Sequence, residues 1–120
     1  MSQSLIEKVN AFLRILENYD FPGARTMCTD KAVVWQNDST VEQPIDERLE
    51  QVAEFAAGVT SLRYDVERQF ENENEVLQQH VLHLALPDGS HQEVHALVYF
   101  RFEGGLIDRI QEYHYPMPTA

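Results

Sequence analysis

The sequence predicts an α+β fold, with helices in the first half of the chain and antiparallel strands in the second half. Apolar residues recur every three or four positions over residues 5–16 and 49–59, which is typical of helices with one buried side. From residue 62 onward apolar and polar residues alternate, which is typical of half-buried strands. No linker, repeat or low-complexity segment divides the 120 residues, so we expect one domain over residues 1–120 with helices covering one face of a sheet.

Capping signals place the first two helices. Ser4 and Glu7 have the spacing of a capping box, and the apolar stripe that follows predicts a helix to about Asn18. The segment Asp20-Phe-Pro-Gly23 predicts the start of a short second helix, because proline is favoured in a first helical turn. Residues 29–31 are polar and are expected to end that helix.

A short strand and a third helix are predicted next. Residues 32–35 are apolar and predict the first strand. Asp46 is predicted to cap the third helix, because aspartate accepts hydrogen bonds from the free N–H groups of a first turn. The apolar positions expected on the buried side of this helix are Leu49, Val52, Ala53, Ala56 and Val59.

Four longer strands are then predicted to follow one another as a meander. Turn-forming residues occupy 71–74, 87–90 and 104–105. The strands cover residues 62–70, 75–86, 91–103 and 106–115. The first of them has an apolar face that Arg68 interrupts. The residues expected on that face are Leu62, Tyr64, Val66 and Phe70.

The charge and composition exclude several classes of partner. Twenty acidic against nine basic residues give a formal net charge of -11, which opposes binding to nucleic acid or to an anionic membrane surface. No apolar run approaches the roughly 20 residues of a transmembrane helix, and no segment resembles a signal peptide. The one cysteine, Cys28, cannot form an internal disulfide. We therefore expect a cytoplasmic protein without nucleic-acid or membrane partners.

The order of elements and three short motifs resemble a known superfamily. Trp35-Gln36-Asn37 stands where limonene epoxide hydrolases have Tyr-x-Asn, and Gln111-Glu112-Tyr113 stands where they have Arg-Asp-Tyr. Leu86-Pro87-Asp88-Gly89 is similar to their hairpin. The element order resembles the nuclear-transport-factor-2-like cone fold, in its SnoaL-like and limonene-epoxide-hydrolase-like branches. The resemblance covers nearly the whole chain. It implies three N-terminal helices packed on a strongly curved, mainly antiparallel sheet that encloses a cavity.

The resemblance carries over only part of the epoxide hydrolase machinery. It places Trp35, Asn37 and Glu112 at the positions of the aromatic residue, the amide and one of the two carboxylates that hold the attacking water. The family's Arg-x-Asp pair falls on His80-Val81-Leu82, so the second carboxylate is missing. Trp35 also offers only an N–H donor. Epoxide hydrolysis by that family's own mechanism is therefore not expected.

The steroid isomerase branch of the superfamily fits no better. Its oxyanion-hole tyrosine falls on Phe12, its general-base aspartate on about Gln36, and its neutral aspartate on about Val98. Without these groups, that reaction lacks both a base and the donors that stabilise an enolate. Because members of the superfamily catalyse isomerisation, cyclisation or hydrolysis or only bind ligands, the fold alone does not decide the chemistry.

His80 and Glu112 are the residues best suited to acid–base chemistry. If both face the cavity, the carboxylate raises the pKa of the imidazole, so the pair can move a proton near neutral pH while Asn37 orients water or a carbonyl. The first hypothesis is therefore a small enzyme, without cofactor, that acts on an apolar carbonyl, polyketide or lactone-like substrate. The alternative is that His80 is a packed core histidine and that Glu112 is solvated near the strand end.

No metal site is expected from the spacing of the histidines. His80 and His83 are three residues apart on one strand and therefore point to opposite faces. No His-x-His or Cys-His cluster in the sequence gives convergent ligands. Cys28 has no nearby base and is expected to be a buried, inert thiol.

The second hypothesis is a cavity that binds a small apolar molecule without converting it. The residues expected to line this cavity are Phe12, Trp35, Phe55, Tyr64, Val98 and Phe100. A third hypothesis is that side chains fill the cavity and that the protein is only a dimerisation module. The resemblance implies a homodimer through the outer sheet face, where a row that includes Leu97, Tyr99 and Arg101 suits an interface as well as water.

Overall fold

A computed structural model describes residues 4–117, so the ends of the predicted domain, 1–3 and 118–120, lie outside the described residues. The described residues form three helices and six strands. In chain order these are α1 (Leu5–Glu17), α2 (Phe21–Thr26), β1 (Cys28–Gln36), β2 (Gln43–Pro44), α3 (Ile45–Ala56), β3 (Ser61–Glu71), β4 (Glu75–Ala85), β5 (His91–Glu103) and β6 (Leu106–Tyr115). The predicted α+β class, with three helices before a four-strand meander, is confirmed.

The first two helices begin as the capping signals predict. The Ser4 side chain accepts from the Glu7 N–H at 3.1 Å, and the Glu7 side chain accepts from the Ser4 N–H at 3.1 Å. Asp20 accepts from the Gly23 N–H at 2.9 Å and caps α2. This helix ends at Thr26, earlier than predicted, because β1 already begins at Cys28.

The predicted cap of the third helix is wrong. Pro44 is the N-cap of α3, in an extended conformation and without a side-chain cap hydrogen bond. Asp46 lies in the first turn, and its carboxylate instead accepts from the Arg25 Nε at 2.6 Å. The helix begins at Ile45, which is buried in the core. Asp46 therefore ties α3 to α2 rather than capping its own helix.

The strands form one sheet in the order β2-β1-β6-β5-β4-β3. All neighbouring strands are antiparallel except β1 and β6, which are parallel, so the sheet is mainly antiparallel as predicted. On β5, His91, Glu93 and Glu103 are exposed, whereas Ala96 and the alternate residues after it are buried. The polar residues of β5 therefore face outward.

Two bulges bend the sheet. On β3 the pairing with β4 shifts between Val66 and Arg68, which leaves Glu67 as an extra residue. The alternation of faces therefore reverses, so Gln69 turns inward and Phe70 outward, where Phe70 is 65% exposed. The prediction of Phe70 on the buried face is wrong for this reason. The bulge also explains why Arg68 occupies a position where the alternation predicts an apolar residue.

The second bulge lies on β6. Arg101 pairs with Arg109 and Phe102 pairs with Ile107, which leaves Asp108 as the extra residue. Asp108 is only 4% exposed. Its carboxylate accepts from the Arg101 guanidinium at 2.8 Å and from the Thr29 hydroxyl at 2.8 Å. These hydrogen bonds, led by the one from Arg101, hold the pKa of the Asp108 carboxyl well below its usual range. Bulges of this kind increase local strand bending.

The helices cover the concave face of the sheet. The buried stripe of α1 packs on the inner residues of the sheet, where the Phe12 and Phe100 rings meet edge to face at 6.4 Å. The stripe consists of Val9, Phe12, Leu13 and Leu16. No helix in residues 4–117 combines the length and hydrophobicity needed to cross a membrane.

Candidate functional site

A cavity lies between α1 and the concave face of the sheet. Its volume is about 80 Å³, and it opens towards an outer cleft of about 240 Å³ beside α3. The cavity and the cleft share Arg48, Tyr64, Leu82, Val94 and His114. Ligand pockets commonly span about 300–1,000 Å³, so the inner cavity alone suits only a very small group. A larger ligand has to extend into the cleft.

Most of the predicted ligand-binding residues lie at this site. Phe12, Tyr64, Val98 and Phe100 line the inner cavity. Phe55 lines the outer cleft and is 49% exposed, so it forms part of the entrance rather than the inner wall. The sixth predicted residue, Trp35, is placed elsewhere.

The predicted position of Trp35 in the cavity wall is wrong. On β1 the buried residues Ala32 and Val34 point inward, and Gln36 continues the same face. Trp35 therefore points to the opposite face, where its ring packs edge to face on Tyr113 at a centroid distance of 5.3 Å. A one-residue difference in phase moves an aromatic side chain to the other side of the sheet.

Asn37 also does not face the cavity. Its side-chain Nδ2 donates to the His114 carbonyl at 2.9 Å, and its Oδ1 accepts from the His114 N–H at 3.1 Å. Its backbone N–H donates to the Glu112 carbonyl at 3.0 Å. Asn37 thus extends the pairing of β1 with β6 beyond the end of β1. The predicted role of orienting water or a carbonyl is not compatible with these contacts, because both ends of the amide are already engaged.

Glu112 lies in the cavity wall and is held by three side chains. Its Oε1 accepts from Gln36 Nε2 at 2.7 Å and from an Arg48 terminal nitrogen at 3.3 Å, and His114 Nε2 lies 3.4 Å away. Burial raises the pKa of Glu112, but the hydrogen bond from His114, the charge of Arg48 and the hydrogen bond from Gln36 outweigh it. The net pKa is lowered, so Glu112 is a carboxylate at neutral pH. The parallel register that sets Gln36 beside Glu112 could not be deduced from sequence spacing.

His80 is buried on the same inner face. A chain of amides reaches it from α1: Gln69 Nε2 donates to Asn10 Oδ1 at 2.8 Å and to Gln78 Oε1 at 2.9 Å. Gln78 therefore presents its Nε2 to His80 Nδ1, 2.8 Å away. This chain assigns Nδ1 of His80 as an acceptor and places the imidazole proton on Nε2.

Burial, not the carboxylate, controls the charge of His80. Loss of hydration lowers its pKa, the charge of Glu112 raises it, and His114 lowers it further, with a net value of about 4. Glu112 raises the pKa of His80 as expected, but the burial effect is larger, so the predicted proton exchange near neutral pH is not supported. His80 is a neutral hydrogen-bond donor at pH 7.

His80 and Glu112 line one cavity but do not form a direct pair. Each has its own partners, and within residues 4–117 no hydrogen bond joins the two side chains. His80 Nε2 has no hydrogen-bond partner in that range, and no side-chain nitrogen or oxygen there is both fully buried and unpartnered. Nε2 therefore reaches solvent-accessible space, which at this position is the cavity.

Tyr64 adds a second neutral donor. Its ring meets the His80 ring edge to face at 5.2 Å, and its hydroxyl has no hydrogen-bond partner within residues 4–117. Burial raises the pKa of Tyr64, and the charge of Glu112 raises it further, so the phenol keeps its proton at neutral pH. The sequence indicated Tyr64 only as part of an apolar wall. Its alternation with Leu62 and Val66 placed it inward, but no sequence signal showed that its hydroxyl is free.

Cys28 does not belong to the site. It is buried in the core, and its Sγ donates to the Ala24 carbonyl at 3.6 Å. Burial raises the pKa of the thiol to about 11, which keeps it protonated at neutral pH. These observations agree with an inert thiol.

Comparison of the sequence with family profiles identifies the fold family. The profile of the SnoaL-like domain matches residues 9–110. The chain belongs to the SnoaL-like family. The family, and the cone fold that the motifs predict, are confirmed. A comparison with curated proteins finds no significant match to this SnoaL-like protein.

Comparison with solved structures finds proteins of several kinds that share this fold. An LEH-like epoxide hydrolase from M. tuberculosis is 19% identical, with 92% of this chain and 81% of that chain covered and a TM-score of 0.76. PrhC from Penicillium brasilianum is 17% identical, with 92% and 80% covered and a TM-score of 0.82. A protein with a ketosteroid isomerase-like fold from Catenulispora acidiphila is 13% identical, with 89% and 84% covered and a TM-score of 0.76. At these identities the likeness shows the fold alone.

Proposed function

We propose that this SnoaL-like protein is a cofactor-free enzyme that moves a proton on a small, mainly apolar carbonyl compound. The observation that carries the proposal is the combination in one cavity of an ionised carboxylate, Glu112, with two neutral donors, His80 and Tyr64. The surrounding walls are largely apolar, which favours a substrate with few polar groups. Isomerisation, cyclisation and hydrolysis all begin with such a proton transfer or carbonyl activation.

In the proposed mechanism Glu112 acts as the general base. It removes a proton from the carbon next to the carbonyl, and the electron pair of that C–H bond moves onto the carbonyl oxygen as an enolate. His80 Nε2–H and the Tyr64 hydroxyl donate hydrogen bonds to this oxygen. When a β,γ double bond lies next to the carbonyl, the enolate is conjugated, and protonated Glu112 returns the proton to the γ carbon, which gives an isomer. Otherwise the enolate carbon attacks a second carbonyl of the substrate and closes a ring, and protonated Glu112 gives its proton to the alkoxide that forms. His80 thus serves as a donor rather than as the proton shuttle of the first hypothesis.

The partners of Glu112 favour a second candidate function. Three side chains surround the carboxylate, and a lowered pKa makes it a weaker base. The same arrangement suits a cavity that binds a small polar-headed apolar molecule without converting it. In that case Glu112 and Arg48 recognise the ligand, and no bond is made or broken.

An exchange experiment separates the two functions without knowledge of the natural substrate. Compact ketones such as cyclohexanone and acetylacetone are incubated with the protein in D₂O, and deuterium uptake at the α carbon is followed by NMR. We expect faster exchange with the wild-type protein than in buffer, and about 10²- to 10⁴-fold less acceleration for Glu112→Gln. Tyr64→Phe should reduce the acceleration as well, because it removes one donor to the enolate oxygen.

The matched control is Glu50→Gln on the exposed side of α3. It removes the same charge at a distance from the cavity lining and should keep the wild-type rate. Equal exchange by the wild-type protein and Glu112→Gln would show that Glu112 is not the base. No acceleration by the wild-type protein with any ketone, together with a retained small molecule in native mass spectrometry, would support the binding function instead.

We also propose that the protein is a homodimer through the outer sheet face. Leu77, Leu97 and Tyr113 are exposed by 45%, 40% and 41%, and Trp35 packs on Tyr113 on the same face. Apolar and aromatic residues of this kind are enriched at interface centres. Light scattering should give twice the chain mass for the wild-type protein and the mass of one chain for Leu97→Arg. A wild-type monomer at high concentration would contradict the proposal.

A further inference from the structure

Two histidines and a glutamate converge on the outer face of the sheet, on the side opposite to the cavity. His83 on β4 pairs directly with Glu93 on β5, and His91 lies two residues before Glu93. His83 Nδ1 is 3.1 Å from His91 Nε2 and 3.7 Å from Glu93 Oε2. One ligand atom from each residue falls within 4.8 Å of the others. We propose that His83, His91 and Glu93 bind a transition-metal ion of the zinc class.

The separations match the size of such an ion. Zinc is bound at about 2.0–2.2 Å by histidine nitrogen and carboxylate oxygen, so neighbouring ligand atoms of a tetrahedral ion lie about 3.3 Å apart. The two shorter separations, 3.1 Å and 3.7 Å, lie on either side of this value. Without metal, one proton lies between His83 Nδ1 and His91 Nε2. When the ion binds both of these nitrogens, the ring that carried this proton holds it on its other nitrogen instead.

A second layer of polar groups supports the three ligands. His83 Nε2, the nitrogen that does not face the site, lies 3.8 Å from Asp65 Oδ2 on β3. Glu93 Oε1, the oxygen not turned to His83, lies 3.2 Å from His95 Nε2. In metal sites the non-ligating nitrogen of a histidine commonly faces a carboxylate, and ligating carboxylates are themselves hydrogen-bonded. The Glu93–His95 contact is within hydrogen-bond distance, and Asp65 lies close enough to pair with His83 Nε2 after a small approach.

The residue types define the class of ion and its coordination. Imidazole together with one carboxylate suits zinc, cobalt, nickel or copper, whereas calcium and magnesium prefer oxygen ligands only. The formal net charge of -11 favours any cation over an anion. Three protein ligands leave a fourth position for water or an external ligand, as in sites that exchange ligands rather than in closed structural sites.

The sequence predicts no metal site, because His80 and His83 lie on one strand and point to opposite faces. Across the β4–β5 hairpin, however, His83 meets Glu93 and His91. Cross-strand register, rather than sequence spacing, brings these ligands together.

Titration calorimetry with zinc chloride tests the site. The full chain is prepared without a histidine tag, dialysed against EDTA and then transferred to a buffer that does not bind metal. We expect saturable binding of one zinc ion per chain. His91→Asn and Glu93→Gln should weaken binding by more than about 100-fold, because loss of a ligand exceeds the effect of an outer-layer residue. Asp65→Asn should weaken it by about 10- to 100-fold. Cobalt should give the visible absorption of a tetrahedral complex, and His91→Asn should abolish it.

Two control variants separate a defined site from general attraction of cations. Glu67→Gln removes a charge at the exposed bulge of β3, and Glu50→Gln removes a charge on the exposed side of α3. Both should bind zinc as the wild-type protein does. The proposal is wrong if Glu67→Gln weakens binding as much as Glu93→Gln, if His91→Asn keeps the wild-type affinity, or if the wild-type protein shows no saturable binding. Circular dichroism of each variant confirms that it is folded.

Discussion

His80 and His83 lie three residues apart on β4, yet the sheet gives them opposite chemical roles. His80 faces the cavity, is 7% exposed, and receives a hydrogen bond on Nδ1 from a buried amide. His83 faces the outer side, where a second histidine and a carboxylate meet it. The buried ring is held neutral and offers one N–H donor, whereas the outer ring can offer a lone pair to a metal ion. Strand alternation thus decides whether an imidazole acts as donor or ligand.

The largest expected effect concerns the pH dependence of stability. An imidazole in the unfolded chain takes up a proton near pH 6.5, whereas His80 in the folded protein does so only near pH 4. Between these values the unfolded state binds more protons, so the free energy of unfolding falls as the pH is lowered, by about 3 kcal/mol in total. Urea denaturation followed by the fluorescence of Trp35, the one tryptophan, measures this slope.

His80→Gln should remove most of that slope, and the outer-face variant Gln79→Leu should keep it. The lowered pKa of Glu112 acts in the same direction but at lower pH, because its contribution is lost only as the pH falls through its folded-state pKa. An unchanged slope in His80→Gln between pH 6.5 and pH 4 would show that His80 is not held neutral by burial.

The second effect tests the amide chain that orients His80. Gln78 is 1% exposed, and Gln78→Leu removes its bonds to Gln69 and to His80 Nδ1 while keeping a similar volume. Leaving such buried polar groups without partners should lower the free energy of unfolding by about 2 kcal/mol. Gln79→Leu, the adjacent outer position, loses one hydrogen bond to the Tyr115 hydroxyl and should cost less than half as much. Denaturation at pH 7 compares the two, and equal losses would contradict the distinction between the faces.

The sequence predicts the helices and strands well because their signals are local. The capping pair of Ser4 and Glu7 and the alternation on β5 involve neighbours in sequence, and the structure reproduces them. The bulges at Glu67 and Asp108 depend on how two strands pair, so no local pattern reveals them. The polar Arg68 at an apolar position marks an irregularity on β3 but does not identify it as a bulge.

The candidate site depends on those bulges, which is why the sequence predicts its residues only in part. The extra residue Glu67 turns Gln69 inward, and only there can Gln69 reach Gln78 and complete the chain to His80. The resemblance to epoxide hydrolases placed site residues on β1 and β6, and these two strands do meet at Glu112. It implied roles for Trp35 and Asn37, although the side chain that contacts the Glu112 carboxylate is that of Gln36, the residue between them.

Gln36 and Asn37 are adjacent, yet the Gln36 side chain contacts Glu112 on the inner face and the Asn37 side chain contacts the His114 backbone. The smallest expected effect tests this difference. Asn37→Ala removes two hydrogen bonds to the His114 backbone at an exposed strand end, which should cost about 1 kcal/mol of stability. The pH profile of α-carbon exchange should not change. Gln36→Leu instead removes a hydrogen bond that lowers the pKa of Glu112, so the profile should shift to higher pH. Exchange rates and urea denaturation of both variants give the two readouts. If Asn37→Ala shifts the profile and Gln36→Leu does not, then Asn37 has the orienting role that the resemblance implies, and the hydrogen bond from Gln36 does not control the pKa of Glu112.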